Sequence, residues 1–220
     1  MSKNPVTART GPSRGTVVGI VAVVLFAALV GIGVYWNQQP ADVVTPANST
    51  ATGTTVGNPS APKTIDVYQD FQCPACKQFE QQSGSTVDQI VASGQAKVIY
   101  HPVAILDRSS PDRYSSRASA ASGCAADAGV FGPYLKLLYE NQPEEGSPGL
   151  PDAKLIALGE QAGGGPGFAD CVQSEKYAPW TAALTDQASK DGLQHTPTVK
   201  VDGKEVQNPT PDALRAALGA

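Results

Sequence analysis

The chain has 220 residues, 41% of them hydrophobic, which is room for one ordinary domain with its own core plus additional segments. It carries 16 basic and 20 acidic residues. Lys3, Arg9 and Arg14 are the only charges before residue 37, so the remainder holds 13 basic against 20 acidic residues, a net of −7. With no basic patch to neutralise phosphates, the composition speaks against a nucleic-acid partner.

Thr16–Trp36 is uncharged throughout and, at about 1.5 Å per helical residue, roughly matches the thickness of a bilayer core. We expect a single transmembrane anchor over 16–36. The basic residues precede it, so the positive-inside rule puts residues 1–15 in the cytoplasm and everything beyond Trp36 outside. A cleaved signal peptide is the rival reading. The apolar run is long for one, however, and Tyr35-Trp36-Asn37-Gln38-Gln39 follows in place of a small-x-small cleavage site, which favours an uncleaved signal-anchor. Gly15 and Gly19 fit a G-x-x-x-G pattern, but they lie at the membrane edge and carry little weight.

Residues 37–62 are rich in Thr, Ala, Pro, Gly, Asn and Ser without periodicity, the composition of a flexible linker. As a random coil it would span on the order of 25 to 30 Å. Asn48-Ser49-Thr50 is formally a glycosylation sequon, best read as coincidence in so Ser/Thr-rich a stretch. The domain proper is expected over 63–220. Lys63–Tyr68 alternates in the manner of a strand and feeds a helix from Pro74 to Gln82, with a break at Gly84 before a continuation over 85–93. Ala96–Tyr100 is the next strand, and the three elements make a crossover unit with parallel strands. Helical spacing of apolar residues then recurs over 113–128, 130–141 and 151–162, with shorter helices at 167–173 and 176–190, an insert covering about 108–192. Strands return at Pro197–Val201 and Glu205–Val206 around a turn at Asp202-Gly203, and a helix over 211–218 ends the chain.

The chemistry starts at Phe71-Gln72-Cys73-Pro74-Ala75-Cys76. Pro74 suits the first turn of a helix, so Cys73 stands at a helix N-terminus, where free N–H groups and the dipole favour the thiolate that attacks disulfides. Cys73 is therefore the expected nucleophile, exposed and with a lowered pKa. Cys76, one turn on and shielded, is the expected resolving thiol. A structural zinc site would need four ligands, and Cys124, Cys171, His101 and His195 offer no second ligand-spaced pair, so neither a metal nor a cofactor is expected. In an oxidising compartment four cysteines make two disulfides. If Cys73 pairs with Cys76, Cys124 is left with Cys171, a structural staple closing a loop of about 47 residues and contributing roughly 4 kcal/mol at most. A second redox couple relaying electrons is the alternative.

These features together resemble the DsbA family of thiol:disulfide oxidoreductases, of the membrane-anchored type found in actinobacteria. The resemblance rests on Asp70-Phe71-Gln72-Cys73-Pro74-Ala75-Cys76, on Thr196-Pro197 before the last hairpin, on the helical insert between them and on export. It implies an α/β thioredoxin-like fold with an inserted helical subdomain. It also implies that Pro197 is cis and that, with Thr196, it faces Cys73 and offers backbone for a substrate peptide. Ala75 stands where DsbA-type oxidants often carry histidine, so one donor to the Cys73 thiolate is missing.

The activity implied is that of an oxidase, introducing disulfides into exported proteins with reduced cysteines. A membrane partner of the DsbB or vitamin K epoxide reductase-like type would reoxidise it. A reductase or isomerase of the same fold and a redox-inert peptide-binding module remain open. Among other residues, Asp70 reads as a solvated strand-end acid with a proton-transfer role as the alternative. His195 reads as an exposed loop residue near the site rim and His101 as structural. Gly163-Gly164-Gly165 lacks the lysine and Ser/Thr of a phosphate loop and reads as a hinge.

Overall fold

The computed structural model describes residues 14–37 and 43–219. Contacts divide the chain between Asp42 and Val43 into two units. The first holds one helix, α1 (Arg14–Asn37), which coincides with the expected apolar run. Its described side chains, which include Val18, Val23 and Phe26, are exposed. That side-chain description ends at Val30, and among the described residues no helix is long and apolar enough to cross a membrane. Residues 1–13 and 38–42, and with them the expected cytoplasmic segment and the first part of the expected linker, lie outside the described residues.

The second unit is built on a five-stranded sheet, in the order β1 (Thr54–Val56), β3 (Ala96–Pro102), β2 (Lys63–Gln69), β4 (Thr198–Val201) and β5 (Lys204–Glu205). Strand β2 (Lys63–Gln69) lies at its centre, parallel to β3 (Ala96–Pro102) and antiparallel to β4 (Thr198–Val201). The alternation of Lys63–Gln69 places Ile65 and Val67 in the core, with no exposed area. The α2 helix (Pro74–Ala92) makes the crossover from β2 to β3. It runs unbroken through Gly84, where the lack of a Cβ leaves space for the Glu80 carboxylate; a methyl group there would come within 2.5 Å of Glu80 Oε1. The expected helix break is thus a packing position.

Between β3 and β4 lie the helices of the insert, α3 (Tyr114–Asp127), α4 (Phe131–Glu140), α5 (Asp152–Gln161), α6 (Phe168–Gln173) and α7 (Ala178–Lys190). Small residues line α3, and Ala118, Ala121, Cys124 and Ala125 are buried in its packing against the neighbouring helices. Trp180 and Tyr177 lead the α7 side of this core. Gly163 and Gly165 adopt positive φ in the turn between α5 and α6, a conformation that glycine takes without a Cβ penalty. The hairpin of β4 with β5 (Lys204–Glu205) and the helix α8 (Pro211–Leu218) close the fold; Thr210 caps α8 by accepting a hydrogen bond from the Ala213 N–H.

The linker expectation fails for residues 43–62, which belong to this unit. Thr54–Val56 forms β1, antiparallel to β3, with Thr54 opposite Tyr100. The Thr55 N–H donates to the Asn48 carbonyl, and Trp180 Nε1 donates to the Thr50 carbonyl. Three residues are too few for a strand period to emerge from the sequence, and the buried Trp180 that needs a hydrogen-bond acceptor lies far along the chain.

Candidate active site

β2 ends at Gln69 and delivers the chain through Asp70–Gln72 to Cys73, the N-cap of α2, with extended φ and ψ of −78° and 118°. The loop is held from several sides. The Asp70 carboxylate is buried and accepts three hydrogen bonds, from the Gln72 N–H (2.9 Å), the Leu106 N–H (2.9 Å) and the Ser115 hydroxyl (2.6 Å). The loop is thereby tied to the turn after β3 and to α3. Burial pushes the Asp70 pKa up, and the three donors oppose that rise. The expectation of a solvated strand-end acid is overturned, because the insert folds over this position and excludes water from it.

Cys73 and Cys76 are free thiols in this structure. Cys73 is 8% exposed and Cys76 1%. The order of exposure matches expectation, but Cys73 is not the open thiol expected, since Thr196 closes over it: the Cys73 sulfur lies 3.3 Å from the Thr196 carbonyl oxygen, to which it donates when protonated. The two sulfurs differ in acidity. The Cys73 pKa is lowered to about 6, first by the Cys76 S–H donating to it, then by the Thr196 side chain and the Cys76 and Ala75 N–H groups at the start of α2, against the cost of desolvation. The Cys76 pKa is pushed well up, by burial first and then by the neighbouring Cys73. Helix N-terminal N–H groups therefore contribute as expected, but the larger effect is the partner thiol. One proton shared between two sulfurs leaves a thiolate on the outer one and a thiol on the inner one.

The Thr196–Pro197 bond is cis. Both residues line a cleft of about 590 Å³ beside Cys73, together with Ala75, Phe79, His195 and Val206. His195 is exposed at this rim, with Nε2 3.6 Å from Glu205 Oε1. The structure thus brings Cys73, Cys76, Thr196 and Pro197 into one site. Cys124 and Cys171 are joined elsewhere, by a disulfide between α3 and α6 with a Cα separation of 5.9 Å. His101 is buried against Asp66 (2.9 Å) and stacks on Tyr68, and it also contacts the Thr52 carbonyl, a structural arrangement. Sequence reasoning missed Gln142, whose side-chain amide donates to the carbonyls of Phe71 (3.0 Å) and Cys73 (2.9 Å). Nothing in its local sequence marks it.

A parallel β-α-β unit that delivers two cysteines of unequal acidity to a helix N-terminus, opposite a cis proline, defines a thioredoxin-fold dithiol protein. Residues 49–220 match the family described as Thioredoxin, and the chain belongs to that family. Among solved structures it is similar to the reduced form of a disulfide bond oxidoreductase (DsbG) from Mycobacterium tuberculosis, at 36% identity and a TM-score of 0.65 over 82% of this chain and 87% of that one. It is also similar to reduced DsbA from M. tuberculosis, at 35% identity and a TM-score of 0.65 over 81% and 91% of the two chains. BdbD from Bacillus subtilis, at 21% identity, shares the fold, with a TM-score of 0.66 over 81% and 97%. A stretch of 129 residues is 35% identical to part of the serine/threonine-protein kinase PknE of M. tuberculosis, covering 56% of this chain and 23% of the kinase.

Proposed function

We propose that the protein is a thiol:disulfide oxidoreductase working outside the cytoplasm, and specifically an oxidase that transfers the Cys73–Cys76 disulfide to exported proteins. A substrate thiolate attacks the Cys73 sulfur; the Cys73–Cys76 bond breaks and Cys76 takes up the electron pair and a proton. A second substrate thiolate then attacks the mixed disulfide and expels Cys73 as a thiolate, leaving the substrate oxidised and the protein reduced by two electrons. Reoxidation falls to a membrane partner of the DsbB or vitamin K epoxide reductase-like type. The observation that carries the exchange chemistry is the asymmetry of the two sulfurs: Cys76 is 1% exposed and out of reach, so attack falls on the more accessible Cys73, which with its pKa lowered to about 6 leaves readily as a thiolate.

Thr196 and Pro197 are assigned to substrate backbone, because the Thr196 carbonyl lies 3.3 Å from the Cys73 sulfur and both residues line the adjoining cleft. The Cys124–Cys171 disulfide is assigned a stabilising role. Thr16–Trp36 is assigned as a signal-anchor on its sequence, an uncharged run of membrane-spanning length preceded by basic residues.

Cys76→Ala should accumulate covalent complexes that dissolve on adding reductant, while Cys73→Ala should give none. Equal trapping by both variants would overturn the assignment of the nucleophile. A reductase is the second reading, favoured by Ala75, which lines the cleft and gives Cys73 no side-chain donor. Thiol trapping in intact cells separates the two: a mostly oxidised Cys73–Cys76 pair supports the oxidase and a mostly reduced one the reductase.

A further inference from the structure

The connection between α4 and α5, residues 141–151, lies against the dithiol motif and is joined to it by two glutamines reaching in opposite directions. From the connection, Gln142 Nε2 donates to the Phe71 and Cys73 carbonyls at 3.0 and 2.9 Å. From the motif, the buried Gln72 sends Nε2 to the carbonyls of Glu144 (3.1 Å) and Ser147 (3.0 Å). The loop between β2 and α2 has no strand partner, so these bonds and those to Asp70 supply its fixed points. The Cys73 carbonyl also accepts from the Cys76 and Lys77 N–H groups of the first helical turn, at 3.1 and 3.2 Å. Gln142 grips the same oxygen from outside the helix.

We propose that Gln142 is a positioning residue for Cys73, and that through it the α4–α5 connection of the insert sets how well the Cys73 thiolate is held. The inference rests on the reading of Cys73 as the attacking thiol. The Gln142 amide is uncharged and bonds to carbonyls rather than to the sulfur, so it acts through geometry. The donors that favour the thiolate are the Cys76 S–H, the Thr196 side chain and the Ala75 and Cys76 N–H groups, and all of them depend on where the helix entry places the sulfur. Hydrogen bonds weaken steeply with misalignment, whereas the desolvation that opposes the thiolate does not depend on angle. Loosening the entry therefore removes the favourable part first. Of the titratable groups nearby, Asp70 and Tyr139 lie by the pair, Lys77 in the same helical turn, Glu144 and Glu145 on the connection itself and His195 and Glu205 along the cleft, and among the described residues none of their side chains hydrogen-bonds to Gln142.

The test is the pH dependence of iodoacetamide alkylation of the reduced, full-length protein in detergent, with the labelled cysteine identified by mass spectrometry. Gln142→Met keeps the side-chain length and removes both donors. We expect its Cys73 alkylation midpoint to rise by about one pH unit, slowing the reaction several-fold at pH 6 while the rate above pH 9 stays the same. Gln142→Glu should shift the midpoint further, since a carboxylate would then face two carbonyl oxygens. A midpoint that coincides with the wild type in Gln142→Met, whatever happens to the melting temperature, overturns the proposal. If Gln142→Met does not fold, Gln72→Met cuts the reciprocal pair of bonds and should move the midpoint in the same direction; an unchanged midpoint there overturns it equally. Wild-type label on Cys76 in place of Cys73 would instead refute the assignment of the nucleophile.

Discussion

Removing the disulfide between α3 and α6 tests whether it is a staple or a redox relay. Cys124 is 3% exposed, so a serine there would bury a hydroxyl in need of a partner; Cys124→Ala with Cys171→Ser avoids that added cost. The two half-cystines are 47 residues apart in sequence. For a loop of that length, chain-entropy reasoning gives about 4 kcal/mol, an upper figure because the reduced unfolded chain keeps some structure. In a domain of this size each kcal/mol moves the melting temperature by about 2 to 4 °C, so the double variant should melt roughly 8 to 16 °C lower. The assay is thermal unfolding followed by circular dichroism, with Cys73 and Cys76 reduced in both proteins. Alkylation of Cys73 should keep its rate and its midpoint. A melting temperature lowered by less than about 3 °C together with loss of disulfide exchange at Cys73 would refute the staple and favour the relay.

Glu80 has its pKa raised to about 7 by burial, with the Asp88 charge adding to the rise, and its Oε2 is a buried oxygen with no hydrogen-bond partner among the described residues. A raised carboxyl pKa makes folding less favourable as pH climbs from the unfolded value of 4.5 through 7, so Glu80→Gln should stabilise the protein by up to about 3 kcal/mol at pH 8 and by little at pH 4, as urea unfolding at the two pH values would reveal. Asp70 is raised in the same sense, so wild type should lose stability relative to Asp70→Asn as pH rises above the ordinary carboxylate range; a parallel pair of stability curves would contradict this. A methyl group on Gly159 would collide with the Phe168 ring, so Gly159→Ala should cost about 1 to 3 kcal/mol in the same assay and leave the Cys73 midpoint where it is.

What was legible in the sequence is what repeats or punctuates. The five insert helices announced themselves because apolar residues recur at helical spacing between Gly and Pro breaks, and the observed ends differ from the expected ones by only a few residues. The dithiol pair was legible because Pro74 marks the helix start. Strand β1 was not, because it offers three residues inside a stretch of linker composition and owes its place to Tyr100 and Trp180. Glycine's helix penalty does not break α2 at Gly84: the helix runs through it, and a Cβ there would meet the Glu80 carboxylate. The burial of Asp70 leaves no local trace, because its partners Leu106 and Ser115 lie 36 and 45 residues further on. Gln142 is the same case in stronger form: a glutamine after a helix carries no local sign that its amide serves carbonyls about 70 residues back.

The acidity of Cys73 bears on the direction of exchange through linkage. A thiol whose folded pKa lies below its unfolded value stabilises the reduced fold above the unfolded pKa of 9.0, and that contribution is lost as pH falls through about 6. At pH 7 only the part of the shift between 6 and 7 counts, which is about 1.4 kcal/mol before solvent screening along the cleft is discounted. For a two-electron couple that corresponds to at most about 30 mV, in the direction that favours giving up the disulfide. This is a small lever, so lowered acidity alone sets Cys73 up as leaving group and attacking group without fixing which way electrons run. The missing histidine at Ala75 removes one further donor, and the Cys76 S–H, the first cause of the low pKa, exists only in the reduced protein. The balance between oxidase and reductase therefore turns on the partner that recharges the pair. On the proposed reading, a reoxidising membrane partner of the DsbB or vitamin K epoxide reductase-like type would tip it toward oxidation, while the same site served by a reductant would run in reverse.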